Sequence, residues 1–283
     1  MIEINGDNKL GFLKSIIYTF NFLIEYLLEK KNTKNYFFEN NIKNLRLFWD
    51  NNKLLSYSPM RIATDCYLVS YLINNFAKDK KIHILDLGCG NGIYANQIRN
   101  LGFNIKYIGI DLKHNVNWKN IDGDNLFIED NLTKNHQQIF KKIKKKFNID
   151  LVLSHSFFEH ISNDKEIFIS ISNIFTQSNH LHFIPATISF LNYFRHGYRR
   201  YNNYKIKKIL QKTNYFYNIY NLGNHYTLIH YFRRYYLFYR KKHKLDFLKI
   251  YKKKLDSYED ISKYIYAKKG HYPIFYCLLK LSN

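Results

Sequence analysis

Residues Ile84 to Tyr94 read I-L-D-L-G-C-G-N-G-I-Y, an apolar run holding one carboxylate, then glycines at positions 88, 90 and 92. Such a run predicts a strand that ends in a tight loop and opens a helix. In an open α/β sheet that loop borders the ligand crevice at the carboxyl ends of the strands. Glycines there let the backbone come close to a ligand and adopt positive φ. The dinucleotide fingerprint needs its third glycine one residue later, and the phosphate-binding P-loop needs a Lys-Ser or Lys-Thr that is absent here. Asp86 then sets the sign of the ligand: two residues ahead of the first glycine, a carboxylate repels a pyrophosphate and attracts an ammonium group.

Working outward, Ile82–Leu87, Ile105–Ile110, Asn125–Ile128 and Ile149–Leu153 are apolar runs of strand length, separated by stretches long enough for helices. A fifth run, His180–Ile184, closes at Pro185. This rhythm predicts an α/β fold, a mostly parallel Rossmann-like sheet joined by right-handed crossovers. Tyr215–Tyr220 and His271–Leu281 are further strand candidates, the last one antiparallel, and Leu228 to about Asp256 reads as helical. Asp111 ends the second strand 21 residues after Gly90, the place of an acid that accepts ribose hydroxyls. Asp130 follows the third strand, within reach of an adenine amino group or, alternatively, as a helix cap. A nucleoside with a cationic, phosphate-free tail satisfies all three acids. S-adenosyl-L-methionine fits that description.

Ile84–Gly92, Tyr107–Leu112, Phe127–Asn131 and Phe147–Ile161 (F-N-I-D-L-V-L-S-H-S-F-F-E-H-I) together resemble the successive motifs of class I S-adenosylmethionine-dependent methyltransferases. The branch that modifies small molecules, quinone-biosynthesis enzymes among them, is the most similar. The resemblance covers about Lys81 to Ile161 closely and Pro185 to Tyr201 more loosely. It implies a methyltransferase domain over 81–283 with a lid or insert at about 186–270, preceded by a helical extension over 1–80. It also implies that Asp86, Gly88, Gly90 and Gly92, with Cys89 and Asn91 in the loop, line the methionine end. Asp111 and Leu112 then meet the ribose, Asp130 and Asn131 the adenine, and Ser154 and His155 the sulfonium. Cys89 is a filler of the loop in this family more often than a nucleophile.

Methyl transfer from a sulfonium is a one-step in-line displacement, so alignment at roughly 3 to 3.5 Å carries much of the catalysis. A hydroxyl or carbon acceptor also needs a base, for which His155, His160 and His196 are the candidates. Glu159 and His160 form the Glu-His pair usual in this branch, placed to orient the loop and the helix after it. Tyr198, Arg199, Arg200 and Tyr201 combine guanidinium forks with flat rings, a set suited to an anionic, saccharide or lipid-linked acceptor or, equally, to a solvated helix start. His180 and His182 alternate on one strand without a carboxylate cluster, so no metal is expected.

Two other classes compete. A nucleic-acid methyltransferase would use the basic last third, where 21 Lys and Arg oppose 4 acids from Arg195 onward. Against it, the fourth strand ends in Ser154-His155-Ser156, not in the Asn/Asp-Pro-Pro-aromatic motif of exocyclic-amine methylation, though RNA ribose methylation stays open. A non-catalytic cofactor-binding protein is the other, opposed by the intact Asp86, glycines and Asp111.

The net charge of +22 admits nucleic acid, an anionic membrane face or an acidic substrate. The joint excess of Lys, Asn, Ile, Tyr and Phe also matches what an AT-rich coding sequence produces. Cys66, Cys89 and Cys277 are far apart and odd in number, which predicts a reducing compartment and a cytoplasmic protein. The acidic start Met1 to Asp7 lacks the basic region of a secretory signal. Gly11–Leu28 carries Leu13, Ile16, Ile17, Phe20, Leu23, Ile24, Leu27 and Leu28 on one helical face. This amphipathic helix is expected to dock on the protein's own core, with a membrane surface or a partner as the alternative.

Overall fold

The computed structural model describes residues 11–27, 34–35, 42–50, 59–187, 200–213, 215–224, 227 and 274–282. The strands are β1 (Lys34–Asn35), β2 (Ile82–Leu87), β3 (Ile105–Asp111), β4 (Asn125–Glu129), β5 (Leu151–His155), β6 (Asn179–Pro185), β7 (Asn218–Leu222) and β8 (Phe275–Lys280). The helices are α1 (Phe12–Leu27), α2 (Ile42–Asp50), α3 (Pro59–Asn75), α4 (Ile93–Asn100), α5 (Leu132–Lys146), α6 (Asp164–Ile174) and α7 (Asn203–Leu210).

The strands form one sheet in the order β1-β7-β8-β6-β5-β2-β3-β4. From β6 to β4 all neighbours are parallel, as the βαβ rhythm requires, and β8 runs antiparallel between β6 and β7. Alternate residues of each strand feed two cores, one on each face of the sheet. Ile84, Leu151 and Leu153 pack with α2, α3 and α4, whereas Leu85, Leu87 and Val152 pack with α5, α6 and α7. The chain order reverses at β2, since β3 lies on one side of it and β5 on the other. The crevice beyond its carboxyl end is where such a sheet receives a ligand.

The first three expected strands match β2, β3 and β4 to within a residue. β5 starts two residues later than expected and runs through Ser154 and His155, because Ser154 pairs with Leu87 and His182 and His155 with Phe183. β7 likewise starts three residues after Tyr215, and the expected helices over 228–256 lie outside the described residues. Within the N-terminal stretch expected to be helical, Lys34–Asn35 pairs in parallel with Tyr220–Asn221 at the sheet edge. A two-residue strand carries no periodicity, so only the open edge of β7 marks it.

α1 forms as expected, but its apolar stripe does not dock on the core. Phe12, Leu13, Ile16, Ile17, Phe20, Leu23, Ile24 and Leu27 are 42–76% exposed, while Ser15 on the opposite side is buried. Leu28 lies outside the described residues.

Candidate active site

β2 delivers the loop Gly88–Gly92 to the crevice with φ of 70°, 57° and 74° at its three glycines. Gly88 and Cys89 donate their N–H groups to Ile110 O at 2.8 and 3.0 Å, which folds the loop back over β3. A Cβ on Gly88 would lie 2.6 Å from Phe157, so glycine is required there by space as well as by φ. A Cβ on Gly90 would meet nothing within 4 Å. The loop is packed from behind at Gly88 and open in front at Gly90, the shape of a cradle. Cys89 is buried and its thiol pushed up, by burial first and then by Asp86 and Asp111, which keeps it protonated.

Asp86 is buried on the α3 side of the sheet and accepts a hydrogen bond from the Tyr107 hydroxyl. Burial lifts its carboxyl to about 7, against the lowering pull of Tyr107 and of the Arg61 charge, with Asp111 adding to the rise. A carboxylate held this far from water is stabilised strongly by an arriving cation. Asp111, at the end of β3, accepts the Gly90 N–H at 2.8 Å. A carboxylate has about four acceptor sites, so this tie to the loop leaves capacity for a ligand hydroxyl.

Beyond β3, Leu112 is 48% exposed and Trp118 is buried, donating from Nε1 to Gly90 O at 2.9 Å and stacking on Phe127 at 5.0 Å. Trp118 therefore clamps this segment to the glycine loop. Asn91 Oδ1 accepts from Ile93 N at 3.2 Å, starting α4. Asp130 and Asn131 begin α5: Asp130 Oδ1 accepts from Asn131 N and Asn135 Nδ2, and Asn131 Oδ1 caps the helix through Thr133 N at 2.9 Å. Both residues lie beside Asp111, since Asp130 N donates to Asp111 O at 2.9 Å.

Strand alternation separates Ser154 from His155. Ser154 is buried in the second core with Oγ 2.9 Å from His182 Nδ1, so its side chain faces away from the His155 ring. His155 turns toward α3 and packs among Tyr94, Phe183 and Phe275. Its Nε2 lies 3.0 Å from Thr64 Oγ1, and Thr64 gives its only hydroxyl proton to Arg61 O at 2.8 Å. Nε2 must then donate, which puts the lone pair on Nδ1, a buried atom with no hydrogen-bond partner. Burial, reinforced by the Arg61 charge, holds this imidazole well below its ordinary pKa and therefore neutral.

α3 supplies a group that the motifs did not point to. Asp65 is buried and accepts from Trp49 Nε1 at 3.0 Å and Tyr94 Oη at 3.1 Å, with burial lifting its carboxyl to about 6. Arg61 stacks its guanidinium over the Tyr94 ring at 5.8 Å, and its charge acts on Asp65, Asp86 and His155 alike. The only sequence signal was a set of polar residues, Arg61, Thr64 and Asp65, at one-turn spacing in an otherwise apolar helix.

Of the expected acceptor-side residues, His196, Tyr198 and Arg199 lie outside the described residues. Arg200 is 2% exposed and its charge lowers the carboxyl of Glu159, which burial otherwise raises to about 7. It faces inward, not to solvent. Tyr201 is buried too, its hydroxyl donating to Asp164 Oδ2 at 2.8 Å and its backbone bridging Ala186. That bond anchors the chain to α6. His160 is half-buried on the single turn Phe158–His160. His180 and His182 are engaged by Phe175 O with Tyr217 and by Ser154 respectively, and among the described residues no group of His, Cys, Asp and Glu is arranged to hold a metal.

A model of the methyltransferase domain matches residues 78–242, more than half of the chain. The ubiquinone biosynthesis O-methyltransferase of Pelagibacter ubique is 30% identical over 153 residues, an alignment spanning 49% of this chain and 59% of that protein. The chain therefore matches well under two thirds of that relative's length. Among solved structures, the plantazolicin methyltransferase BamL in complex with a triazolic desmethylPZN analog and SAH superposes with a TM-score of 0.52 at 13% identity, covering 95% of this chain and 97% of that one. Phosphoethanolamine N-methyltransferase 2 of Haemonchus contortus in complex with S-adenosyl-L-methionine gives 0.50 at 16% identity, covering 85% and 56%. At such identities the two structures attest the fold alone. With that fold and the domain match over residues 78–242, the chain belongs to the methyltransferase domain family, in its class I, S-adenosylmethionine-dependent, Rossmann-like form.

Proposed function

We propose that the protein is a methyltransferase that transfers the methyl group of S-adenosylmethionine in line to a small-molecule hydroxyl acceptor. The observation that carries the reading is the buried Asp86, lifted to about 7, beneath a glycine loop that is open at Gly90. Bound there, S-adenosylmethionine would supply an electrophilic methyl on a sulfonium. Asp86 suits its ammonium, Arg61 its carboxylate, Asp111 with Leu112 the ribose, and Asp130 with Asn131 the adenine. The neighbouring charges favour a zwitterionic tail and disfavour a pyrophosphate.

His155 is the group we assign to the acceptor side. Its Nδ1 lone pair orients the acceptor hydroxyl and takes the proton as the O–CH3 bond forms and the S–CH3 bond breaks. With S-adenosylmethionine bound, the imidazolium formed on His155 would take over the charge that the sulfonium gives up, leaving the pocket's net charge unchanged. Burial that disfavours imidazolium disfavours the sulfonium it replaces as well. An anionic or saccharide-linked acceptor remains our proposal for the substrate class, with Arg199 and the residues around it as the recognising segment and Arg200 bracing Glu159.

Turnover of candidate phenolic and saccharide hydroxyls with labelled S-adenosylmethionine tests the reading. Label in an ether product supports it. Cofactor binding without transfer to any acceptor would favour a binding protein, and label in RNA would replace the acceptor class.

A further inference from the structure

Eight large apolar side chains of α1 share one side of the helix. At 100° per residue, Phe12, Leu13, Ile16, Ile17, Phe20, Leu23, Ile24 and Leu27 fall within a sector of about 140°. All of them are exposed, by 42% at Leu23 and Ile24 and by up to 76% at Leu27. The buried Ser15 lies outside that sector, so the helix is seated on a side away from the strip and turns the strip outward. A continuous apolar strip of this size marks a surface that binds something.

Charge decides what it binds. Each chain carries +22, so pairing two copies through α1 brings two like-charged bodies together, whereas an anionic surface attracts the same charge. Close to the helix Lys9, Lys14, Lys30, Lys31 and Lys34 outnumber Glu3, Asp7, Glu25 and Glu29 by only one, so the charge of the chain as a whole carries the attraction. Basic residues beside an apolar helix face add to its attraction for acidic lipid headgroups. Among the described residues no helix is long and apolar enough to cross a membrane, and an amphipathic helix that binds a bilayer without spanning it lies in the interface plane.

We propose that α1 is an interfacial helix that docks the protein on an anionic lipid bilayer, with Phe12, Phe20 and the aliphatic residues between them inserted below the headgroups. The proposal stands apart from the methyl-transfer reading, because bilayer binding needs neither cofactor nor acceptor.

The test uses the full chain with sedimented vesicles of phosphatidylcholine, with and without phosphatidylserine. The expected result is binding to phosphatidylserine vesicles that weakens as salt is raised, with little binding to phosphatidylcholine alone. The variant Phe20→Asp/Ile24→Asp places two charges in mid-strip and should lower the bound fraction about tenfold at an unchanged unfolding temperature. A second readout needs no disabling substitution. The natural cysteines 66, 89 and 277 are buried, so Leu23→Cys takes an environment-sensitive label selectively. Its emission should shift to the blue on adding phosphatidylserine vesicles. Absence of vesicle binding overturns the proposal, as does binding that the double variant leaves intact with no shift at position 23, which would assign it to the basic surface alone. A blue shift without lipid that tracks a doubled mass in ultracentrifugation would make the occupant a second copy and overturn it too.

Discussion

Thr64 Oγ1 and His155 Nε2 are 3.0 Å apart although they stand 91 residues apart in sequence, and the Thr64 proton already belongs to Arg61 O. A threonine on α3 thereby fixes which nitrogen of a strand-end histidine carries hydrogen. Replacing Thr64 by valine keeps the volume, removes the acceptor and leaves a buried ring N–H unpaired, at about 1–3 kcal/mol. The expected outcome is a fall in kcat of about 10–100-fold with little change in cofactor affinity, and recovery in Thr64→Ser. Equal kcat in the valine and serine variants would remove His155 from the chemistry.

Asp86 predicts the pH dependence of cofactor binding. Its carboxyl sits at about 7 in the free protein and must ionise to hold an ammonium group. Below pH 7 affinity should fall about tenfold per unit with proton release, and above about pH 8 it should fall again as the ligand's α-amino group loses its charge. Calorimetry in buffers of different ionisation enthalpy reads the proton directly. Asp86→Asn should abolish the acid limb and weaken binding about 10–100-fold, the worth of one charge-assisted hydrogen bond.

The glycines separate stability from binding. Gly88→Ala places a Cβ 2.6 Å from Phe157 at φ 70°, so it should lower stability by several kcal/mol in urea unfolding. Gly90→Ala meets nothing within 4 Å and should cost only about 1 kcal/mol for its φ of 57°, while filling the cradle and weakening S-adenosylhomocysteine binding more than tenfold. Equal effects of the two substitutions on binding and on stability would contradict the cradle.

The second core carries its own pH signature. Burial holds His180 down to about 3, against about 6.5 in an unfolded chain. Between those values the unfolded chain binds a proton that the folded one does not, so this stabilisation is complete above about pH 6.5 and is lost as pH falls toward 3. Asp65, Asp86 and Glu159, lifted to between about 6 and 7, act in the opposite sense, destabilising the fold as pH rises from about 4. The clean measurement is therefore a difference: urea unfolding of His180→Gln should depend on pH less positively than the parent by up to about 1.4 kcal/mol per unit between about pH 4 and 6.

Much of this arrangement was legible because the parallel sheet writes itself plainly into sequence. Strands buried on both faces read as unbroken apolar runs, and Asp86, the glycines and Asp111 sit where those runs stop. Ser154 and His155 were harder. They continue β5 in polar letters, and only their register with Leu87 and Phe183 tells that one enters each core. Arg61, Thr64 and Asp65 were hidden because a helix lining a site has the same period as one filling a core. Arg200 and Tyr201 suggested an outward recognition surface, but Glu159 and Asp164 draw them inward, partnerships that span 41 and 37 residues of chain and leave no local pattern. The exposed face of α1 shows the reverse case: periodicity gave the helix and its stripe, but not the side on which the stripe would lie.

Methyl transfer at this site requires a crevice that accepts an adenosine bearing a zwitterionic amino-acid tail and rejects one bearing phosphates. Calorimetric titration of the full chain with S-adenosylhomocysteine, NAD and ATP tests this most directly. The expected result is saturable binding of the first, weakened by Asp86→Asn, and no binding of the other two that responds to that substitution. Uptake of NAD or ATP that competes for the site, with S-adenosylhomocysteine unbound, would contradict it.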